Sequence, residues 1–312
     1  ESCRRALNST EMAPSGFVGA ASIIYSLRIL QVLDCLDDEP LVEEACERLL
    51  VHSRRSLDSS ADKDLLTGLA GSAVAITSAN SIKRTKNTEK FLRDARRELF
   101  KIGSRITETG APLEFLPVIR GFSHGLSGLA FAIYHFADGP DKSEFIALSE
   151  QLVLIEKKFV QSSGWTDSHS YGGKPLAAWC HGAPGIAYAI SNMPDLLTNG
   201  LVLDYLEEAV SVSERDGVYD SKCLCHGSAG NYEMMKSILA SRNSSASTED
   251  FVRELNSSFR TANFSSFGSD QSMGYGLMTG ITGPAYSRLR ELRDGALGLP
   301  DILCLEPCKP IQ

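Results

Sequence analysis

Six times along this chain a Gly-x-x-Gly turn, or a close variant, introduces a segment that is apolar almost all round. The turns are Gly19-Ala-Ala-Ser22, Gly68-Leu-Ala-Gly71, Gly125-Leu-Ser-Gly128, Gly182-Ala-Pro-Gly185, Gly227-Ser-Ala-Gly230 and Gly280-Ile-Thr-Gly283, spaced by 49, 57, 57, 45 and 53 residues. A period of that size marks a repeat architecture, and recognising it governs the choice of fold. Segments such as Leu129-Ala-Phe-Ala-Ile-Tyr134 offer no polar face, so they read as helices buried on most sides.

Between the apolar segments lie amphipathic ones: 41–55, 88–105, 143–160, 201–215 and 248–260. In the third, Phe145, Leu148, Leu152, Ile155 and Phe159 fall at helical intervals with charges opposite. Each repeat is thus an inner apolar helix followed by an outer, half-solvated one, six inner and five outer in all. Such hairpins bury their apolar faces only by stacking on neighbours, and a ring of them makes an all-α α/α toroid of six to seven repeats. No linker demands a split, so residues 1–312 read as a single domain. The glycines would let each turn fold sharply, leaving the first N–H groups of every inner helix unpaired at a common end suited to an anionic ligand. Tight helix packing alone is the plainer account of the first, second and sixth turns.

At 312 residues and 43% hydrophobic, the chain is large enough to bury a substantial core. Its formal charge of -8 argues against a general nucleic-acid binder. The basic run from Lys83 to Arg97 carries seven Lys or Arg but also Glu89 and Asp94, and reads as a solvated helix face or a docking patch for an acidic peptide. No apolar stretch reaches the roughly 18 residues of a membrane span and no signal sequence opens the chain, which places it in the cytoplasm. It starts at Glu1 instead of Met, as a fragment or processed chain would. Eight cysteines without a dense framework point to metal binding or free thiols. Cys35 and Cys46 fall in helical patterns and read as core, whereas Cys3, Cys304 and Cys308 have no partner histidine nearby in sequence. The polar loops 161–174, with Trp165 and His169, and 264–276 would border a cleft.

Two of the six turns carry chemistry. Trp179-Cys180-His181-Gly182 and Leu224-Cys225-His226-Gly227 repeat nearly the same phrase 45 residues apart, which packing alone does not readily explain. Cys180, Cys225 and His226 supply two thiolates and one imidazole, a soft donor set that suits Zn2+ and leaves a fourth position open. With a third thiolate arriving from a substrate, the centre would carry net charge -1, favouring thiol activation over water activation. Other readings stand beside this one. Cys223 with Cys225, His226 and His181 would make a closed structural site; the residues would otherwise be ordinary buried groups, or a metal-free Cys/His nucleophile pair. His124 and His181 stand at matching places in their turns, as candidates to take a proton from a thiol or deliver one to an enolate. Asp64, ahead of Gly68, is a third candidate, although a carboxylate beside a helix start is stabilised there anyway. His52, His135 and His169 lack that register and default to structural or surface roles.

Ser123-His124-Gly125-Leu-Ser-Gly128, the two Cys-His-Gly turns and Gly276-Leu-Met-Thr-Gly280-Ile-Thr-Gly283 resemble the signature turns of the LanC-like lanthionine cyclases. The ending Leu299-Pro300-Asp301-Ile302-Leu303 with Leu305-Glu306-Pro307 is similar to the cyclase end of class II lanthipeptide synthetases. The resemblance implies a zinc enzyme that adds a cysteine of a dehydrated precursor peptide to dehydroalanine or dehydrobutyrine, closing thioether rings. Cys180, Cys225 and His226 would bind the metal, His124 would be the acid/base group, and Asp64 and His181 would line the site. It also implies a seven-hairpin toroid and leaves room for a dehydratase domain or subunit upstream. The chain departs from the family pattern at Ser22, where a glycine is expected, and ahead of Cys180, where only Lys174 answers to the usual basic residue. Glutathione addition to dehydrated residues, and a non-catalytic zinc-containing peptide-binding toroid, remain as alternatives.

Overall fold

The protein is described here by a computed structural model covering residues 12–36, 38–58, 61–110, 120–163, 165, 177–217, 221–241, 246–260, 276–292 and 299–306. Cys3, Cys308, His169 and Lys174 lie outside these residues. Among them there are eleven α-helices and no strand. They are α1 (Ala20–Val32), α2 (Glu39–Ser53), α3 (Leu69–Ile82), α4 (Lys86–Thr109), α5 (Leu126–Tyr134), α6 (Lys142–Ser163), α7 (Ala183–Ser191), α8 (Gly200–Asp216), α9 (Ser228–Ser241), α10 (Ala246–Arg260) and α11 (Thr282–Leu292). Odd-numbered helices follow the glycine turns and even-numbered ones are the amphipathic segments, so the expected alternation of six inner and five outer helices is what forms.

The difference between the two kinds is one of burial. All nine residues of α7 are buried. On α4 the buried side chains Phe91, Ala95, Leu99, Ile102 and Ile106 recur every three or four residues. Its larger apolar side chains contribute about 1.5–3 kcal/mol each when buried. Thr85 and Thr88 close a reciprocal capping box at its start, and Gly110 ends it in the left-handed region at φ 64°. Lys86, Lys90, Arg93, Arg97, Lys101 and Arg105 line its exposed side, so most of the basic run forms a solvated face, whereas Lys83 and Arg96 are half-buried. On α6 the buried stripe is turned one position from the sequence reading: Ile155 and Phe159 are half-buried, while Val153, Glu156 and Val160 are buried. A charged residue therefore occupies a core position, which bears on the site below.

The helices gather into two compact units. The first comprises residues 1–117, 128–149 and 296–312. Here α1 packs on α2 and α3, and α3 on α4. Arg96 of α4 lies 4.2 Å over the Phe145 ring and 3.2 Å from Asp141. The segment 299–306 is anchored on the inner helices: the Tyr25 hydroxyl donates to the Glu306 carbonyl at 2.7 Å, and the Ser78 hydroxyl to the Leu305 carbonyl. The second unit comprises residues 118–127 and 150–295, with α7 packed on α8 and α9, and α9 on α10.

The turns differ from expectation in one respect. In α1, α3 and α9 the first N–H groups are not left open but bond to the turn seven residues back. Leu69 donates to Asp62 at 3.0 Å, Ala70 to Lys63 at 3.4 Å, and Ser228 to Ser221 at 2.9 Å. The turn folds flat over the helix start, so its carbonyls replace the anion that an open terminus would attract. This explains the second glycine of the motif. A Cβ on Gly230 would stand 1.9 Å from the Leu224 oxygen and one on Gly71 1.8 Å from the Leu65 oxygen, so only glycine fits against the folded-back turn. Gly230→Ala is expected to cost about 2 kcal/mol or more, the order of an overpacked core, and to lower the melting temperature by roughly 4–8 °C. An unchanged melting curve would remove this account of the motif.

The six described cysteines are free thiols. Cys46 is buried as expected, and burial pushes its thiol up to about 11. Cys35 is exposed, contrary to expectation, because α1 stops at Val32 and Asp34 takes a positive φ of 52°, which turns the chain out before Cys35.

Candidate metal centre

In the second unit, backbone hydrogen bonds link four successive glycine turns. Ser123 donates from its N–H at 3.4 Å and its hydroxyl at 2.7 Å to the Cys180 carbonyl. Cys180 N–H donates to the Cys225 carbonyl at 3.1 Å, and Cys225 N–H to the Met278 carbonyl at 2.9 Å. Ser123, Cys180, Cys225 and Met278 each stand two residues before the first glycine of their turn. Equivalent positions of consecutive repeats are thus stitched edge to edge, which brings the two distant cysteines together.

Local sequence holds each turn in shape. Gly182 opens α7 at φ 93°, a conformation that side chains resist, and Pro184 fixes the first turn of that helix. Phe122 stands edge-on to Trp179 at 5.9 Å and to Tyr188 at 5.6 Å, giving the Cys180 turn a rigid aromatic floor. The Asn231 amide donates to the carbonyls of Ala177 at 2.8 Å and Gly217 at 2.5 Å, pinning the strand of chain that leads into Trp179.

The result is a cluster of Cys180, Cys225 and His226 whose ligand atoms all lie within 4.8 Å of one another. Cys180 is buried, while Cys225 and His226 are half-buried. The electrostatics fit a cation. A hydrogen bond from the Cys180 thiol, and further help from His226, hold Cys225 down at about 5 against the opposing effect of burial. Cys180, as donor to Cys225 and as a buried group, is pushed far above its usual range. His226 is raised to about 10, first by its bond to Cys223 and then by Cys225. An imidazolium facing thiolates is the charge pattern a metal would take over by displacing the proton. Two sulfurs and one imidazole nitrogen within that span match the donors and the reach of a zinc centre with a free position.

Cys223 stands outside the cluster of three. Its sulfur accepts from the His226 backbone N–H at 3.5 Å and from the Ser221 hydroxyl at 3.4 Å. Against burial, a bond with the His226 imidazole first and the Ser221 hydroxyl next lower its thiol. The rings of His124 and His181 stack at 5.5 Å with 30° between their planes, His124 half-buried and His181 buried. Asp64 lies in the first unit, 2% exposed. Its Oδ1 accepts from Thr67 N–H at 2.7 Å and Gly68 N–H at 3.1 Å, so it braces the start of α3. His135 is also structural: burial lowers its proton affinity, and Nδ1 lies 3.0 Å from the Phe131 carbonyl. Glu156 and Asn231 were not singled out by sequence, although a carboxylate on an apolar helical stripe is the signal that marks Glu156.

The family model "Lanthionine synthetase C-like protein" matches residues 1–304, and the chain belongs to that family. Among curated relatives, "Lacticin 481/lactococcin biosynthesis protein LcnDR2" of Lactococcus lactis subsp. lactis is 27% identical over 193 residues, 56% of this chain. The chain spans about a fifth of that relative, 21% of its length. Among solved structures, "Nisin cyclase" aligns with a TM-score of 0.53 and 15% identity over 97% of this chain and 95% of that one. That likeness carries the fold: the chain is all-α, in the α/α toroid class. Among the described residues, no helix is long and apolar enough to cross a membrane.

Proposed function

We propose that the chain is a zinc-dependent lanthionine cyclase acting on a dehydrated precursor peptide. The observation that carries this reading is the Cys180–Cys225–His226 cluster, assembled from two consecutive turns in a chain of the lanthionine synthetase C-like family. Zinc held by those three residues would supply a Lewis acid that keeps a peptide cysteine deprotonated near neutral pH. The residues of the chain do the rest. His124, half-buried and stacked on His181 next to Cys180 in sequence, takes the proton of the incoming thiol and returns it to the α-carbon of the enolate formed when sulfur attacks dehydroalanine or dehydrobutyrine. One C–S bond forms, the C=C π bond is lost, and the thiol proton ends on carbon, so mass is unchanged. His181 supports His124 through ring stacking. Asp64, the third candidate, braces the equivalent turn of the first unit. A dehydratase, as a domain or a separate subunit, must supply the substrate.

The test is incubation of the purified protein with a dehydrated, cysteine-containing peptide, followed by thiol alkylation and mass spectrometry. The expected product has the mass of the substrate and has lost one alkylatable thiol per ring. Adducts of added glutathione would replace this reading with intermolecular addition, and binding with all thiols retained would replace it with a peptide-binding role.

A further inference from the structure

We propose that Glu156 is a positioning residue for ring closure: its buried carboxyl clamps both ends of the Gly121–Ser127 turn and thereby sets His124 against the Cys180 turn. The proposal rests on the cyclase reading given above. Glu156 is fully buried on α6. Its Oε1 accepts from Gly121 N–H at 2.9 Å and from Ser127 N–H at 3.4 Å, while the Ser127 hydroxyl bonds to Oε2. One carboxyl therefore holds the first and last residues of a turn whose middle carries Ser123 and His124. The turn is pressed on the metal-site backbone. At Gly121, with φ 108°, a Cβ would lie 3.1 Å from the Cys180 carbonyl oxygen and 3.3 Å from the His181 Cα. Ser123 then bonds that same Cys180 carbonyl. Release of the clamp would free the turn at both ends and loosen the stacked His124–His181 pair, while leaving the sulfurs and the His226 ring untouched.

A neutral amide would also hold the turn, its oxygen accepting both N–H groups and its nitrogen donating to the Ser127 hydroxyl. Burial pushes Glu156 up to about 8, opposed by its three hydrogen bonds and by the charge of Arg120; Tyr205 is the other titratable group facing it. In the neutral form Oε1 still accepts both N–H groups, and Oε2 donates to Ser127 where it had accepted. In the ionised form a charge sits buried beside Arg120. Because the folded group titrates above its ordinary 4.5, its contribution to stability is complete below that value and is lost as pH rises through about 8. At neutral pH the folded protein still holds this carboxyl protonated, and the proton leaves as pH rises through about 8.

The experiment compares wild type, Glu156→Ala, Glu156→Gln and Ser127→Ala by zinc content, far-UV dichroism, kcat and KM against pH, and imidazole NMR of His124 in the absence of peptide. Glu156→Ala should keep its zinc and helicity, lose about 10- to 100-fold in kcat with KM little changed, and shift the His124 resonances. Glu156→Gln should restore most of kcat, return the His124 resonances and lack the alkaline fall near pH 8. Ser127→Ala removes one bond to the charged form and should move that fall to higher pH. Wild-type kcat and His124 resonances in folded Glu156→Ala would overturn the proposal. A folded Glu156→Gln that has lost kcat and the wild-type His124 resonances would also overturn it, an outcome that needs no folded alanine variant. The resonances report on the clamp alone, so a wild-type protein that closes no rings defeats the cyclase reading without deciding the question of Glu156.

Discussion

Cys180→Ala and Cys225→Ala are each expected to yield a folded protein that has lost its zinc and its ring-forming activity together. Replacing groups that merely orient metal ligands weakens metal affinity by about 10- to 100-fold, so removing a thiolate ligand should weaken it by at least about 100-fold. The rate should fall by several kcal/mol of lost charge stabilisation, on the order of 10³-fold. The backbone bonds that stitch the turns do not involve the side chains, so the fold should survive either change. Cys223→Ser is the control. Cys223 is 1% exposed and bonds His226 but is not one of the three clustered ligand atoms, so this variant should retain its zinc. Metal analysis of the purified variants decides the matter. Unchanged zinc in both alanine variants would defeat the ligand assignment, and loss of zinc from Cys223→Ser would favour a closed four-ligand site.

His124→Ala should behave in the opposite way, keeping zinc and melting temperature while losing about 10²- to 10⁴-fold in kcat, the range of a general acid/base group. His124 and His181 stack on one another, but His181 is 8% exposed whereas His124 is half-buried and therefore within reach of a peptide. Its ring lies outside the cluster of ligand atoms, so zinc binding does not depend on it. Cyclisation at wild-type speed in His124→Ala would end its role in proton transfer.

Much of this was legible in the sequence because the repeats are local devices. An inner helix such as Ala183–Ser191 has no polar face to present, and a turn such as Cys225-His226-Gly227 carries its register in its glycines, so helix order and the three clustered residues could be read without coordinates. What escaped the sequence depends on contacts far along the chain. Glu156 differs from its solvated neighbours on α6 only because Gly121 and Ser127, 35 and 29 residues before it, point their donors at it. The pairing of helix N-termini with the turns behind them was hidden for a related reason, since glycine permits a sharp bend without saying which way the carbonyls face. For Cys35, helical periodicity continued one turn past the point where Asp34 breaks the backbone.

The segment 299–306 has a consequence for how the chain is made. Its Leu305 carbonyl meets a hydroxyl 227 residues upstream, and its Glu306 carbonyl meets one 281 residues upstream. At ordinary ribosomal speeds of roughly 5–20 residues per second, α3 waits about 10 to 45 s for this partner after leaving the synthesis site. During that interval the earliest helices have their mutual contacts but lack the bonds from Ser78 and Tyr25 to this segment. Of the two units, the one begun first along these residues is the one completed last.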